Sequence, residues 1–126
     1  MADMTVEVVS AERRLFHGEA TAVYARSLDG EIGILPGHQP CLLSLDIAPL
    51  RIETTGGEVE AFAVHGGFLY FRENHLVVLA DIAEPASEID ASRAQRGVDS
   101  AGDDAAAARR AAVRLRVANA AGAPSR

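Results

Sequence analysis

The sequence changes character at Pro85, and this change restricts the fold more than any other feature. Before it, apolar residues alternate with polar ones or form short runs, which is the pattern of β-strands. Beyond it the chain becomes rich in alanine, the strongest helix former, with eleven alanines between Ala101 and Ala123. We therefore predict a β domain over residues 1–86 and a helical tail over residues 87–126.

Turn signals separate the predicted strands of the β domain. The Asp-Gly pair at 29–30 and the Gly-Gly pair at 56–57 are typical of tight hairpins, whose central residues adopt positive φ. The Pro-Gly pair at 36–37 suits the centre of a type II turn. The Gly-Gly pair at 66–67 is interpreted as a bulge or a tight strand connection. Many short strands at this spacing indicate a sandwich or a flattened barrel.

Two short antiparallel helices account for the tail, with the second ending near residues 122–124. Ser87 followed by Asp90 is a variant of the capping box that starts a helix, and Gly102 with the two acids after it indicates a break and a second start. A stripe along the second helix is mostly alanine and would bury little area. We expect a hairpin held this weakly to detach and re-dock. The stripe consists of Ala108, Ala111, Leu115 and Ala118.

The charged residues exclude nucleic acid as the main partner and a Walker A phosphate loop as a motif. The net charge is −6, divided into −8 over residues 1–86 and +2 over residues 87–126. An acidic chain lacks the basic face that a phosphate backbone requires, so nucleic acid is excluded as the main partner. All twelve basic residues are arginine, which excludes a Walker A loop because that loop needs lysine.

Other classes of protein lack support in the sequence. No run approaches the ~18 apolar residues of a membrane span, and the N-terminus lacks the basic region of a secretory signal. Cys41 has no second cysteine to pair with and is expected to be a small buried apolar residue rather than a nucleophile. The four histidines lack metal-ligand spacing, and no GxSxG motif occurs. We predict a soluble, cytoplasmic protein that is no enzyme, holds no metal and does not insert into a membrane.

Five motifs stand in a fixed order along the chain: AERRLFHGEA at 11–20, GEIGILPGH at 30–38, GGFLYF at 66–71, LADIAE at 79–84 and EIDASRA at 88–94. Together they resemble the epsilon subunit of the bacterial F-type ATP synthase over nearly all of residues 4–98, whereas the later residues match only in composition and helical character. The resemblance implies a ten-stranded flattened β-sandwich or barrel followed by an antiparallel two-helix hairpin.

The resemblance implies a non-catalytic rotor subunit of the central stalk, at the cytoplasmic face of the bacterial plasma membrane. Such a subunit couples gamma to the ring of c subunits, and its helices inhibit ATP hydrolysis when they extend into the alpha/beta catalytic head. By correspondence Glu31 faces the c ring and His38 faces gamma, although Glu31 also fits a solvated hairpin residue. Four arginines of the second helix would contact the head or else form a solvated face: Arg109, Arg110, Arg114 and Arg116.

The Ile-Asp-x-x-Arg-Ala pattern at 89–94 has two interpretations. By the same resemblance it marks members that bind ATP between the helices, where arginine can bind phosphate and a carboxylate can accept from ribose or base. Alternatively it is a helix cap with a surface ion pair. Ser100 stands near where such members supply a further arginine. ATP is therefore a candidate regulatory ligand, while no cofactor is required. The alternative function for the chain is a free-standing regulatory module that senses nucleotide. The candidate nucleotide-binding residues are Glu84, Ile89, Asp90, Arg93 and Ala94.

Overall fold

The computed structural model describes residues 3–121. The predicted fold class, a β-sandwich or barrel followed by two packed helices, is confirmed, but the described residues form seven strands rather than ten. The elements are β1 (Met4–Ser10), β2 (Arg14–Ser27), β3 (Gly30–Ile34), β4 (Cys41–Thr54), β5 (Val59–Arg72), β6 (His75–Ala80), β7 (Ala83–Pro85), a 3₁₀ turn (Ala86–Glu88), α1 (Ala91–Ser100) and α2 (Ala105–Ala121).

Long strands explain the lower strand count. β2, β4 and β5 each contain 14 residues. β5 pairs with β7 through residues 62–64 and with β6 through residues 67–72, so one continuous strand serves two parts of the sheet. Between these segments Gly66 and Gly67 have φ of 83° and 126°. A Cβ on Gly67 would lie 2.2 Å from the backbone oxygen of Leu79, so only glycine fits where the strand changes partner.

The strands close on themselves. Their order is β1-β6-β5-β4-β2-β3, and β1 also pairs with β2, so the five strands from β1 to β2 form a closed circuit. The β1–β6 pair is parallel and the other pairs are antiparallel. Alternate side chains of these strands point inward and make the core. Its largest fully buried members are Phe62, Phe71, Met4, Ile34, Leu50, Ile52, Leu69 and Leu76.

Three turns of the β domain lie at or beside the predicted glycines. A tight turn at residues 28–29 joins β2 to β3 just before Gly30, and residues 55–58 join β4 to β5. Of the two predicted pairs only Gly30 and Gly57 adopt positive φ, whereas Asp29 and Gly56 do not. After β3, Gly37 has a φ of 88° and the N–H of His38 donates to the oxygen of Leu35 at 3.0 Å, as a type II turn requires. The hairpin between β5 and β6 contains no glycine, because Glu73 and Asn74 themselves adopt positive φ.

The helix starts are partly as predicted. α1 begins at Ala91, and the side chain of Asp90 accepts the N–H of Arg93 at 3.1 Å as its N-cap. The predicted start at Ser87 is wrong, because Ser87 lies in a 3₁₀ turn after which the chain is extended at Ile89. The break at Gly102 is confirmed, while the predicted end of the second helix falls outside the described residues. Within the described residues, neither α1 nor α2 has the length and hydropathy of a membrane-spanning helix.

Candidate functional site

α2 packs on the barrel through a small apolar cluster. Val113 and Val117 are 3% and 1% exposed, and they contact the fully buried Ala63 of β5. Ile47 and Ile89 pack around this cluster. The alanine stripe predicted from the sequence lies on another side of the helix, where Ala111 is buried against α1. A Cβ on Gly97 would come within 3.0 Å of the Cβ of Ala111, so glycine permits the close approach of the two helices.

A partly buried polar network joins α2 to the barrel. The side chain of His65 on β5 is only 2% exposed, and its Nε2 lies 2.7 Å from Oε1 of Glu84 on β7. Nε of Arg114 donates to the same oxygen at 2.7 Å. The ionised carboxylate of Glu84 can only accept, so Nε2 of His65 carries the proton of this hydrogen bond. Within residues 3–121, Nδ1 of His65 has no hydrogen-bond partner.

The network shifts two pKa values downward. Burial opposes the ionised form of Glu84, but the hydrogen bonds from Arg114 and His65 outweigh it and hold the pKa of Glu84 below its ordinary value. Burial lowers the pKa of His65, and nearby Arg114 and Arg110 lower it further against the opposing effect of Glu84. Burial and the two arginines thus favour the neutral form of His65, and the hydrogen bonds favour the charged form of Glu84.

A second polar contact anchors the first half of α2. Arg109 forms an ion pair with Asp46 of β4. The N–H of Ile47 donates to Asp46 at 2.8 Å, and together with Arg109 it holds the pKa of the Asp46 carboxyl below its ordinary value. At the other end of the tail, Arg13 pairs with Glu88 of the 3₁₀ turn at 2.5 Å. Charged contacts therefore surround the small apolar cluster.

The candidate nucleotide-binding residues are not brought together in this arrangement. Glu84 is engaged by His65 and Arg114, and no described hydrogen bond links it to Asp90 or Arg93. Asp90 caps α1, and Arg93 is exposed. The other two candidates pack inward: Ala94 is buried, and Ile89 borders the apolar cluster. In residues 3–121 no three His, Cys, Asp or Glu side chains are grouped as metal ligands.

The candidate partner-binding residues lie on two parts of the molecule. Glu31 is exposed at the start of β3 and lies 3.6 Å from Arg26. His38 follows the turn after β3, with its ring edge-on to Phe71 at 5.8 Å and its Nδ1 2.7 Å from the oxygen of Gln39. Of the four tail arginines, Arg109 and Arg114 form ion pairs with the barrel. The other two differ in burial, with Arg110 half-buried and Arg116 exposed.

The outer face of β4, β5 and β6 carries exposed apolar side chains in register. Leu42 pairs with Tyr70 and Tyr70 with Val77, while Phe68 pairs with Leu79. Leu42 is 66% exposed and Phe68 is 50% exposed. Residues paired across neighbouring strands share a face, so these five form one patch, in which four are exposed and Val77 is half-buried. A contiguous exposed apolar patch is typical of a protein–protein interface.

Comparison with known proteins identifies the family. Residues 3–86 match the model of the ATP synthase delta/epsilon chain β-sandwich domain. The chain is 51% identical to the ATP synthase epsilon chain of Streptomyces avermitilis over 121 residues, which cover 94% of this chain and 98% of the relative. It is 46% identical to the epsilon chain of Mycobacterium sp. strain KMS over 117 residues, covering 92% and 95%. The chain belongs to the ATP synthase epsilon-chain family.

Solved structures show the same fold at lower identity. A chain of the Euglena gracilis mitochondrial ATP synthase structure has a TM-score of 0.75 at 21% identity, covering 96% of this chain and 82% of that one. A chain in the Tetrahymena thermophila central stalk and c-ring structure has a TM-score of 0.64 at 20% identity, covering 97% and 98%. The arrangement of barrel and helices is therefore shared with distant proteins.

Several contacts of this epsilon-family chain are not evident from its sequence. Val113 and Val117 are spaced four residues apart, which is a helical signal, but a longer alanine stripe lies beside them. His65 directly precedes the GGFLYF motif but is not part of it, and Asp46 lies 63 residues from its partner Arg109. Such pairs become visible only once the barrel places β4, β5 and β7 beneath α2.

Proposed function

We propose that this chain is a non-catalytic rotor subunit of the central stalk of a proton-translocating F-type ATP synthase, and that it couples the gamma subunit to the c ring. Similarity to epsilon chains along more than nine-tenths of the sequence carries the proposal. The complex would hold the chain peripherally at the cytoplasmic face of the bacterial plasma membrane.

The apolar patch of Leu42, Phe68, Tyr70, Val77 and Leu79 supports a permanent protein partner, which we propose to be gamma. A charged residue at the centre of such a patch would have to be desolvated in the complex. Phe68→Asp should therefore abolish co-purification with gamma. Phe68→Leu, which keeps the patch apolar, is the matched control. Retention of gamma by Phe68→Asp would place the interface elsewhere.

The contacts that hold the tail support an inhibitory role in ATP hydrolysis. The ion pairs of Arg109 and Arg114 can be exchanged for equivalent pairs with acidic groups of the catalytic head. Deleting residues 87–126 should then raise ATP hydrolysis by the assembled enzyme. A full-length chain with Arg110→Ala and Arg116→Ala keeps the ion pairs of Arg109 and Arg114 with the barrel. Its rate of hydrolysis therefore reports the loss of arginine contacts with the head in a chain whose tail still docks on the barrel. Unchanged hydrolysis after the deletion would remove the inhibitory role.

ATP as a regulatory ligand is a separate proposal. It is supported by the Ile-Asp-x-x-Arg-Ala pattern and by the exposure of Arg93 beside the capped end of α1. ATP contact with Glu84 would require that Arg114 leave it. Calorimetric titration of the chain with ATP should show binding that is lost in Arg93→Ala and kept in Arg96→Ala. No heat at about millimolar ATP would leave residues 89–94 as a helix cap alone.

A further inference from the structure

A groove between α2 and the barrel is lined by four arginines. Its volume is about 710 Å³, which lies in the range of small-molecule sites. Arg26 and Arg51 come from β2 and β4, and Arg109 and Arg116 come from α2. The chain as a whole has a net charge of −6. Such a local concentration of guanidinium groups in an acidic protein indicates an anionic ligand.

The face of α2 that borders the groove leaves room between its two arginines. Arg109, Ala112, Val113 and Arg116 all line the groove, at the i, i+3, i+4 and i+7 spacing of one helix face. Val113 is buried and fixes this face against the barrel. Ala112 is exposed and contributes only a methyl group, so the space between the arginines stays open.

In one part of the groove two acids balance the charge of two arginines, Arg26 and Arg109. Asp46 lies 3.9 Å from Arg26 and also pairs with Arg109. Glu31 lies 3.6 Å from Arg26. These are the two acids of the lining. The positive charge that no acid of the lining balances therefore belongs to the other two arginines, Arg51 and Arg116.

Those two arginines are available to a ligand. The guanidinium carbon of Arg51 lies 4.9 Å from the ring centroid of Tyr24, which orients it by a cation–π contact. Arg51 also forms an ion pair with Glu53 on the same strand at 3.0 Å. Both side chains are exposed, and exposed ion pairs contribute little to stability, so a ligand can replace Glu53. Arg116 forms no ion pair with any residue in the range 3–121.

We propose that this groove binds a small anion with two or more linked phosphate groups, held between Arg51 of the barrel and Arg116 of α2. The planar guanidinium fork matches phosphate oxygens and donates two hydrogen bonds at once. A ligand that contacts both sides of the groove favours the docked tail. Binding of the anion in this groove does not depend on the proposed rotor function. Only the regulatory consequence of a docked tail rests on that proposed function.

The test is calorimetric titration of the full chain with inorganic tripolyphosphate at low salt. Arg51→Ala and Arg116→Ala should each weaken binding about tenfold or more, because each removes a charged hydrogen-bond donor. Ala112→Leu keeps every arginine but fills the groove, and it should weaken binding to a similar extent. Arg72→Ala is the matched control, since Arg72 is exposed on β5 and, among the described residues, pairs only with the neighbouring Glu73.

Further titrations with pyrophosphate, orthophosphate and ATP identify the chemistry that is recognised. Pyrophosphate should bind more tightly than orthophosphate, and ATP binding at this groove should depend on Arg116. Binding that responds equally to Arg72→Ala and Arg116→Ala would overturn the proposal, as would ATP binding that depends on Arg93 but not on Arg116. Absence of binding would overturn it too, and would leave the rotor function to be judged by co-purification with gamma.

Discussion

The barrel and the helical tail are stabilised by different kinds of contact. Large side chains such as Phe62 and Phe71 are fully enclosed in the barrel, whereas within the described residues α2 buries only two valines against it. Around those valines lie the polar contacts of Glu84 and Asp46. Hydrophobic burial does not depend on ionisation, but ion pairs respond to pH and salt. The contrast indicates that the tail can be released while the barrel stays folded.

The largest effect should come from the barrel core. Phe62→Ala removes a buried ring and should lower the free energy of unfolding by about 3–5 kcal/mol. Phe68→Ala, at a residue that is 50% exposed on the outer face, should lower it by about 0.5 kcal/mol or less. Urea denaturation followed by circular dichroism measures both. Equal losses would contradict the distinction between the enclosed core and the outer patch.

A smaller and more local effect should come from the tail interface. Val117→Ala removes two methyl groups from the apolar cluster and should weaken docking by about 1.5 kcal/mol. Backbone amides of α2 should then exchange faster with solvent while those of β5 keep their rates. Val59→Ala, at an exposed valine outside the cluster, is the control. Faster exchange throughout the barrel would show that tail and barrel open together.

Acid should weaken tail docking through His65. Its pKa is lowered in the docked state by burial, although Glu84 opposes this and Arg114 and Arg110 add to it. In the released state it returns toward about 6.5, so the released state binds the proton more readily. The contribution of neutral His65 to docking is therefore fully present above about pH 6.5. It is lost as the pH falls from there through the lower pKa that His65 has in the docked state. Glu84, whose pKa is also lowered, adds a second loss below its ordinary value of 4.5.

Limited proteolysis of the tail as a function of pH measures this dependence. The rate of cleavage in residues 101–104 should rise between neutral pH and about pH 5, where a histidine with an ordinary pKa becomes charged. His65→Gln retains a donor toward Glu84 but does not titrate, so it should remove the rise in that range. A rise of the same size in His65→Gln would assign the effect to other groups.

The smallest effect should come from the exposed pair of Arg109 and Asp46. The side chain of Arg109 is 53% exposed, and exposed pairs contribute about 1 kcal/mol or less. Arg109→Ala should weaken docking by no more than this, and high salt should reduce the difference. Arg96→Ala on α1 serves as the control in the same exchange measurement. A loss larger than that of Val117→Ala would mean that charge, rather than burial, dominates docking.

Local chemistry explains which features could be predicted from the sequence. The Pro-Gly turn at 36–37, the cap at Asp90 and the break at Gly102 each depend on a few adjacent residues, and all three occur in the structure. The strand count could not be predicted in this way. β5 continues through Gly66 and Gly67 although a pair of glycines is also typical of a strand end.

The tail interface depends on long-range contacts, which the sequence does not encode locally. The resemblance predicts a nucleotide contact at Glu84, but in the docked arrangement this residue binds His65 and Arg114. His65 and Glu84 are 19 residues apart, and Arg114 is a further 30 residues away. Only the pairing of β5 with β7 and the docking of α2 bring the three together.

Native-state hydrogen exchange on the full chain tests most directly whether the tail is a separately releasable unit. We expect amides of α1 and α2 to exchange through an opening with a lower free energy, and a weaker dependence on denaturant, than amides of β4 and β5. Such a result would show release of the tail from a folded barrel. Equal free energies with equal denaturant dependence in both regions would show one cooperative unit and would contradict a detachable tail.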